Sequence, residues 1–404
     1  MDETEAETTK GPLAGIRIVD LTINVLGPMA TQMLGDMGAD VMKVEPPAGD
    51  PMRMLGPQRT SGLAAHFVNF NRSKRSVTLD LKRPDALESL MRLVETADVL
   101  VHNMRAAAAE RLGIGPDTVR ARNPRIVYAY ATGYNRDGAK SDRPAFDDVI
   151  QGESGVAGLI GQANGEPRFV PYALADKLCG VYLAAAISAA LVGRERSGEG
   201  QIVHVPMLET MVSFNIVDHM WESTFTGRPE DAGYPRMLTR HRRPYPTKAG
   251  YICLMAVTDE QWKRLFQALD RHDLAQDPRF HNMEGRTRHI DELYGVLGEE
   301  MKKRTADEWA RRLDAVDVPN ARMNTLPDLI SDQYLWETGF FSWYDHSSGH
   351  PHVAIAFPVD FSASPARKTR PPPLLGEHNR EILGEPACDA DGPPDICDEN
   401  GGRT

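Results

Sequence analysis

Short apolar runs alternate with helix-length amphipathic patterns along the first third of the chain, and this alternation constrains the fold most strongly. We predict strands at residues 16–20, 40–45, 76–81, 99–101 and 125–131, and helices at residues 27–37 and 85–95. Strands separated by helices form parallel βαβ units. The pattern therefore predicts an α/β fold with a Rossmann-like open parallel sheet in a large domain.

A long alanine-rich helix is predicted at residues 177–195, and Asp176 stands immediately before it. The free peptide N–H groups and the dipole at a helix N-terminus stabilise a carboxylate there. The turn Ser197-Gly-Glu-Gly-Gln201 follows the helix and leads into a predicted strand at residues 202–206. For an isolated aspartate in such a place, helix capping is the better interpretation, and a reactive carboxylate is the alternative.

The pattern of the chain changes past about residue 225. A strand at residues 251–257 and helices at 260–269, 290–302 and 306–315 predict a smaller α+β domain. The Arg- and Pro-rich segment 233–246 is predicted to be extended. We therefore divide the chain into a large domain at 1–210, a linker at 211–245, a small domain at 246–330, a segment returning to the large domain at 331–385, and a disordered acidic tail at 386–404.

Composition limits the compartment and the partners. The net charge of −11 argues against nucleic acid or an anionic membrane as a partner. Four cysteines without CxxC spacing and an acidic N-terminus favour a cytoplasmic protein. Neither a dinucleotide or P-loop motif nor a standard metal-ligand spacing is present in the sequence. We expect no metal and no prosthetic group.

An ordered set of segments carries a stronger signal. The segments are Asp20-Leu-Thr with Gly27-Pro, Val41 to Arg53, Asn71 to Lys82, Asp98 to Asn103, Arg143-Pro-Ala-Phe-Asp147 with Gln151, Ala175-Asp176, Ser197 to Gln201, and Leu374-Leu-Gly-Glu-His378. In this order they resemble the class III CoA-transferase family, the group of formyl-CoA and carnitine CoA-transferases that is related to the α-methylacyl-CoA racemases. The resemblance runs from about residue 12 to residue 385.

The resemblance implies roles for individual residues. Asp176 occupies the position of the nucleophile, and Asp147 that of a supporting carboxylate, although a loop cap is the alternative for Asp147. Arg111 and Arg143 are expected near the CoA phosphates, and solvated surface charge is the alternative for Lys82 and Arg111. The other residues expected along CoA are Val25, Leu26, Leu79, Asp80, Leu81, Lys82, Asn103, Met104, Pro144, Ala145 and Phe146.

The resemblance also implies the reaction and the assembly. The nucleophile attacks an acyl-CoA thioester to form an aspartyl anhydride, and CoA thiolate then converts this anhydride to an aspartyl-CoA thioester. The implied partners are an acyl-CoA substrate, a free carboxylic acid, and a second copy of the chain in an interlocked homodimer. The sequence does not select either acid.

Several positions depart from the family pattern. Val25 stands where some transferases carry a glutamine, and Pro46 where an arginine can contact the nucleotide, with Arg53 as the alternative contact. Phe146 replaces the tyrosine of many transferases and the histidine of the racemases, and phenylalanine cannot transfer a proton. No Gly-rich loop is evident between residues 210 and 260, which disfavours oxalate or formate as substrates. We therefore favour a transferase over a racemase, another isomerase, or a catalytically inactive CoA-binding protein.

Overall fold

The computed structural model describes residues 11–366 and 370–384. The strands in chain order are β1 (Arg17–Asp20), β2 (Asp40–Glu45), β3 (Lys74–Thr78), β4 (Val99–His102), β5 (Val127–Thr132), β6 (Ile202–Pro206), β7 (Tyr245–Pro246), β8 (Tyr251–Leu254), β9 (Asn320–Arg322), β10 (Phe341–Tyr344) and β11 (His352–Ile355). The predicted tail at 386–404 lies outside the described residues.

The α-helices in chain order are α1 (Leu26–Asp36), α2 (Ala65–Phe70), α3 (Pro84–Glu95), α4 (Ala106–Arg111), α5 (Pro116–Arg122), α6 (Asp147–Glu153), α7 (Val156–Asn164), α8 (Leu174–Ser197), α9 (Met207–His219), α10 (Ser223–Thr226), α11 (Pro235–Leu238), α12 (Asp259–Ala268), α13 (His272–Gln276), α14 (Met283–Arg288), α15 (Ile290–Met301), α16 (Ala306–Asp314), α17 (Leu326–Ile330), α18 (Gln333–Glu337) and α19 (Asn379–Leu383). Short 3-10 segments occupy Pro51–Met54, Pro229–Asp231 and Pro278–Phe280.

The chain divides into two compact units. The described residues of the first unit are 11–132, 179–205, 341–366 and 370–384, and those of the second are 133–178 and 206–340. The first unit contains a six-stranded sheet in the order β3-β2-β1-β4-β5-β6. The pairings of β1 with β2 and β4, of β2 with β3, and of β4 with β5 are parallel. The α/β prediction with an open parallel sheet is therefore confirmed.

Helix α3 illustrates how the sequence builds this unit. Pro84 occupies its first turn, where the missing N–H costs nothing. The buried residues Ala86, Leu90, Leu93 and Val94 recur at helical spacing. They pack in one hydrophobic core with buried residues of β1, β2 and β4. Full burial of a leucine contributes about 1.5–3 kcal/mol, so this single apolar face fixes the helix on the sheet.

The polar segments that carry the family resemblance lie largely inside the first unit. Lys43 donates from Nζ to Asp50 at 2.9 Å and to the Thr22 carbonyl at 2.8 Å. Lys74 donates to Asp20 at 3.1 Å, and all four ionic side chains of these two pairs are fully buried. Burial alone would lower the pKa of Lys43, but the two aspartates outweigh it and raise that pKa. Removing one partner of such a pair leaves the other charge buried and unpaired. Substitutions at these four residues should therefore destabilise the first unit.

Two glycines of the same segments allow close backbone approach. A Cβ atom on Gly27 would lie 2.2 Å from the Cβ of Thr22, and one on Gly200 would lie 2.1 Å from the Ile126 carbonyl oxygen. Neither space can hold a side chain without movement of the backbone. The glycines therefore serve the packing of the sheet in these positions.

Three local predictions need correction. The third strand covers Lys74–Thr78 rather than 76–81, because two basic residues at its start pair inside the protein and do not mark a loop. Helix α8 begins at Leu174, three residues before the predicted start, so Asp176 lies in its first turn. The segment 233–246, predicted to be extended, contains α11, and only its last two residues form a strand, β7, in which Tyr245 is buried.

The second unit contains a three-stranded antiparallel sheet in the order β7-β8-β9. Helices α12, α15 and α16 pack Trp262, Leu293 and Trp309 into one core with Ile252 of β8. Capping boxes begin α12 and α16, where Thr258 and Thr305 accept the third backbone N–H of each helix. These helix starts are therefore fixed by local sequence.

The segment after residue 370 covers the edge strand of the large sheet. Ser73 donates its amide to the Arg370 carbonyl at 2.9 Å, and His378 donates its amide to the Ser76 carbonyl at 3.0 Å. The Thr78 amide donates to the Asn379 side chain at 2.8 Å. Unpaired backbone N–H and C=O groups at a sheet edge are a template for aggregation. The segment 370–379 bonds several of these groups along the outer edge of β3.

Helix α8 is long and apolar enough to cross a membrane by length and composition alone. Its residues Cys179, Leu183 and Ile187 are buried at helical spacing within the first unit. Burial of this kind is what a core helix shows, so the composition of α8 is weak support for a membrane span.

Candidate active site

The order of the large sheet reverses beside β1, which has β2 on one side and β4 on the other. Ligands of open α/β sheets bind in the crevice outside the carboxyl ends of the strands at such a switch point. Two chain segments leave the sheet here, one after Asp20 of β1 and one after His102 of β4. The topology therefore predicts a ligand crevice beside these two loops.

The loop after β1 is held in place by side chains. Asn103 accepts the Ile23 amide at 3.0 Å and donates to the Ile23 carbonyl at 2.8 Å. Asn24 adopts a left-handed conformation with φ of 68°, and its amide donates to Asp50 at 3.3 Å. Asparagine tolerates this region better than most residues. The loop is thus fixed before any ligand arrives.

A cleft of about 240 Å³ opens at this position within the first unit. Five residues that the resemblance assigned to CoA line it together: Leu79, Asp80, Leu81, Lys82 and Met104. Sequence reasoning missed the remaining lining residues, which are Leu21, Ile23, Val44, Glu45, Pro46 and Leu112. All of these except Leu112, which follows α4, lie at or just beyond the carboxyl ends of β1 and β2. The cleft is mainly apolar, with the exposed Lys82 supplying a positive charge.

Four other assigned positions of the first unit do not line this cleft. Val25 and Leu26 are buried at the start of α1. Asn103 uses its side-chain amide on the backbone of Ile23. Arg111 is the exposed last residue of α4, next to the lining residue Leu112.

Arg53 does not replace the arginine that is missing at Pro46. It is buried, donates to both carboxylate oxygens of Glu45 at 2.7 Å, and lies over the Phe67 ring at 3.7 Å. Burial would raise the pKa of Glu45, but the hydrogen bonds from Arg53 and the charge of Lys43 outweigh it and lower that pKa. All these contacts are structural, so the suggestion that Arg53 binds the nucleotide was wrong.

A pair of carboxylates lies in the second unit. Asp147 begins α6, and its Oδ1 accepts the backbone amide of Asp176 at 2.9 Å. Asp147 therefore binds the first turn of α8 and fixes the backbone that carries Asp176. No described residue donates a hydrogen bond to the Asp176 carboxylate itself. Helix capping by the Asp176 side chain is accordingly not observed.

Gln151 holds Asp147 in this position, and the sequence had given it no role. Its side chain is fully buried, and Nε2 donates to Asp147 Oδ2 at 2.6 Å while Oε1 accepts the Val170 amide at 2.8 Å. The spacing of four residues on one helix places Gln151 beside Asp147. That spacing, together with the buried face of α6, is the signal that identifies it.

The electrostatics of Asp176 differ from those of an ordinary surface carboxylate. Desolvation by burial, followed by the negative charge of Asp147, raises the pKa of Asp176 to about 7. Without a donor to its oxygens, the carboxylate keeps its lone pairs available. A carboxyl group with such a perturbed pKa is a functional-site candidate.

The remaining assigned residues precede α6 in the second unit. Pro144 and Phe146 are exposed, Ala145 is half-buried, and the Phe146 side chain is 69% exposed. Arg143 is exposed, lies 3.8 Å from Glu153 and approaches the Tyr134 ring at 5.9 Å. Arg143 is therefore partly compensated by protein groups. Among the described residues no group of three or more His, Cys, Asp or Glu side chains is arranged to hold a metal ion.

Comparison with known proteins places these features in a family. The model of CoA-transferase family III matches residues 13–379. A probable fatty acyl-CoA transferase of Mycobacterium tuberculosis is 33% identical over 388 residues, covering 93% of this chain and 98% of that protein. The succinate–glutarate CoA-transferase of Agrobacterium fabrum is 32% identical over 394 residues, covering 95% of this chain and 97% of that enzyme.

Solved structures agree with the sequence matches. The crystal structure of the M. tuberculosis protein superposes with a TM-score of 0.79 at 32% identity, covering 93% of this chain and all of that chain. A CaiB/BaiF family protein from Brucella suis superposes with a TM-score of 0.78 at 30% identity, covering 93% of this chain and 99% of that chain. The similarity therefore extends over nearly the whole described fold.

Proposed function

This chain belongs to CoA-transferase family III and is a CoA-transferase, and we propose that Asp176 is the nucleophile that carries the exchange. One observation carries the proposal: the Asp176 carboxylate, in the first turn of a long helix, accepts no hydrogen bond from the part of the chain that the structure describes, and its pKa is raised to about 7. A carboxylate with a higher pKa is a stronger nucleophile once ionised, and half of the population is ionised near neutral pH.

The proposed exchange runs through two covalent intermediates. An Asp176 oxygen attacks the thioester carbonyl, the C–S bond breaks, and CoA leaves as a thiolate. The thiolate attacks the aspartyl carbonyl of the resulting anhydride, releasing the first acid and forming an aspartyl-CoA thioester. The second carboxylate and the thiolate then repeat the sequence in reverse, which yields the new acyl-CoA and the free aspartate.

The residues around Asp176 supply positioning and oxyanion stabilisation in this scheme. Asp147 fixes the Asp176 backbone through its amide, and Gln151 fixes Asp147. The amides of Leu174 and Ala175 have no hydrogen-bond acceptor among the described residues. These two amides at the start of α8 are the proposed donors to the tetrahedral oxyanions, each worth about 3–4 kcal/mol in comparable sites.

We assign the nucleotide end of CoA to the cleft of the first unit. Its apolar walls suit a base, and its volume of about 240 Å³ is below the roughly 300–1,000 Å³ of pockets for drug-sized ligands. The cleft therefore accommodates a nucleobase rather than the whole CoA molecule. Lys82 is the proposed partner of a phosphate at the rim.

Isotope transfer tests the mechanism directly. When an acceptor acid labelled with heavy oxygen attacks the aspartyl thioester, one labelled oxygen remains on the aspartate after the thiolate removes the acyl group. We expect the label in the peptide that contains Asp176, and a hydroxylamine adduct at the same residue during turnover. Heavy oxygen in any other carboxylate, or in none, would exclude the proposed nucleophile. The D176N variant is the control and should acquire neither modification.

A racemase is the less favoured alternative. Phe146 occupies the position at which the racemases carry an acid–base histidine, and its ring has no exchangeable proton. Incubation with a single epimer of a 2-methylacyl-CoA in deuterated water separates the two activities. Deuterium at the α-carbon without an acceptor acid would favour the racemase.

We further propose that the protein acts as a homodimer. The second unit exposes several large apolar side chains after β6: Phe214, Val217 and Phe225 are 55%, 70% and 90% exposed. Several large apolar side chains left exposed in one stretch of chain favour an interaction site, because a second copy could cover them. Sedimentation velocity is the test, and a monomer at the concentration used for activity would refute the dimer.

A further inference from the structure

The second unit contains a cavity of its own, lined in part by basic and aromatic side chains. It has a volume of about 230 Å³, and Arg242, Arg243 and Tyr245 lie along it. The remaining lining residues are Pro244, Cys253, Leu254, Met255 and Tyr294, so no acidic side chain lines it. It shares no residue with the CoA cleft or with the carboxylate pair.

The two arginines of this cavity are exposed, and their guanidinium groups have no direct contact with a carboxylate of the described residues. Neither guanidinium forms a hydrogen bond or an ion pair with a described residue. The pKa of Glu299 is lowered chiefly by its hydrogen bond to Lys302 and only to a small extent by the charge of Arg243, so that carboxylate is already engaged. Adjacent unpaired guanidinium groups favour a bound carboxylate or phosphate oxygen.

A tyrosine hydroxyl on the cavity wall adds a third donor. Tyr245 is only 5% exposed, it lines the cavity, and its hydroxyl has no hydrogen-bond partner among the described residues. Tyr294 accepts a hydrogen bond from Arg236 at 2.8 Å, which leaves its own proton free to donate. A tyrosine hydroxyl can donate a hydrogen bond to an anion, so Tyr245 can share a bound carboxylate with the two guanidinium groups.

We propose that this cavity, the anion pocket, binds a small organic carboxylate on a short apolar chain. The guanidinium groups and the Tyr245 hydroxyl take the carboxylate, and Leu254 and Met255 contact the chain. The pocket goes beyond the proposed function, because it would bind such an acid whether or not Asp176 is the nucleophile. Inorganic phosphate shares the charge but cannot use the apolar wall.

Cys253 provides a local readout, because it lines the pocket and is half-buried, whereas Cys179 is fully buried. We expect hexanoate at ten times its Kd to slow alkylation of Cys253 about tenfold, since about a tenth of the pockets then remain free. The rate is measured by mass spectrometry of the Cys253 peptide at constant ionic strength. Phosphate should slow it less than hexanoate at the same concentration.

Variants separate the pocket from the active site. The double variant R242Q/R243Q should lose the protection of Cys253 by hexanoate, and Y245F should weaken hexanoate binding about tenfold. The control R240Q removes a neighbouring charge outside the pocket and should keep the protection. D176N should also keep the protection of Cys253 by hexanoate. Binding in the anion pocket can therefore be tested separately from CoA exchange, which D176N should lose. Equal protection in R242Q/R243Q and R240Q, or equal protection by phosphate and hexanoate, would overturn the proposal.

Discussion

Neutralising Asp176 should stabilise the protein while abolishing CoA exchange. The pKa of Asp176 rises from 3.8 to about 7 on folding, a shift of about three units, and each unit corresponds to about 1.4 kcal/mol. The folded-state pKa is the raised one, so the ionised side chain penalises folding. The penalty is absent below about pH 4, grows as pH rises from 4 to 7, and is constant above 7. Its upper bound is about 4 kcal/mol, and partial exposure of the side chain reduces it.

Equilibrium urea denaturation of wild type and D176N at fixed protein concentration measures this effect. We expect D176N to be more stable, with a difference that grows by about 2 kcal/mol between about pH 5 and pH 8. D148N is the matched control, because it neutralises an exposed carboxylate beside Asp147. A difference that is independent of pH would refute the desolvation argument, and a less stable D176N would refute the raised pKa.

Three further outcomes follow from the contacts described. D147N keeps an oxygen for the Asp176 amide but removes a negative charge, so the pKa of Asp176, about 7 in the wild type, should fall and the acidic limb of the kcat/KM profile should move to lower pH; an unshifted limb would contradict it. R53M should cost about 3–5 kcal/mol in urea denaturation, because Glu45 stays buried without its partner. M104A removes part of the cleft wall, so KM for the acyl-CoA should rise about tenfold with kcat retained.

The sequence was sufficient for the sheet and for the strands at its centre. The interiors of β1, β2 and β4 are apolar, with Lys43 of β2 as the exception, and parallel βαβ connection then restricts the strand order. The start of β3 was not recognised because Lys74 and Arg75 are charged. Their partners, Asp20 and Asp40, are 54 and 35 residues away in sequence. Such long-range pairing is invisible to a local pattern.

In the candidate site, too, some residues could be predicted from the sequence and others could not. The stretch from Leu79 to Lys82 and Met104 could be assigned to one cleft from the family segments, and the structure brings them together. Basic residues were harder to interpret. An arginine such as Arg53 can bind a phosphate, but here its guanidinium donates to Glu45 inside the protein. Burial decides between these uses, and a single sequence does not report it. Gln151 was overlooked for a related reason, because its function depends on Asp147 and not on a ligand.

The cover of the outermost strand of the large sheet has a consequence for synthesis. Ser76 leaves the ribosome long before His378, which is 302 residues further along the chain. At about 5–20 residues per second, the nascent sheet waits roughly 15–60 s for the residues that close it. During that interval its open backbone groups can pair with another growing chain. A stop codon or protease that removes His378 and α19 would leave the edge of β3 open permanently, so we expect the shortened product to aggregate although Asp147 and Asp176 had already been made.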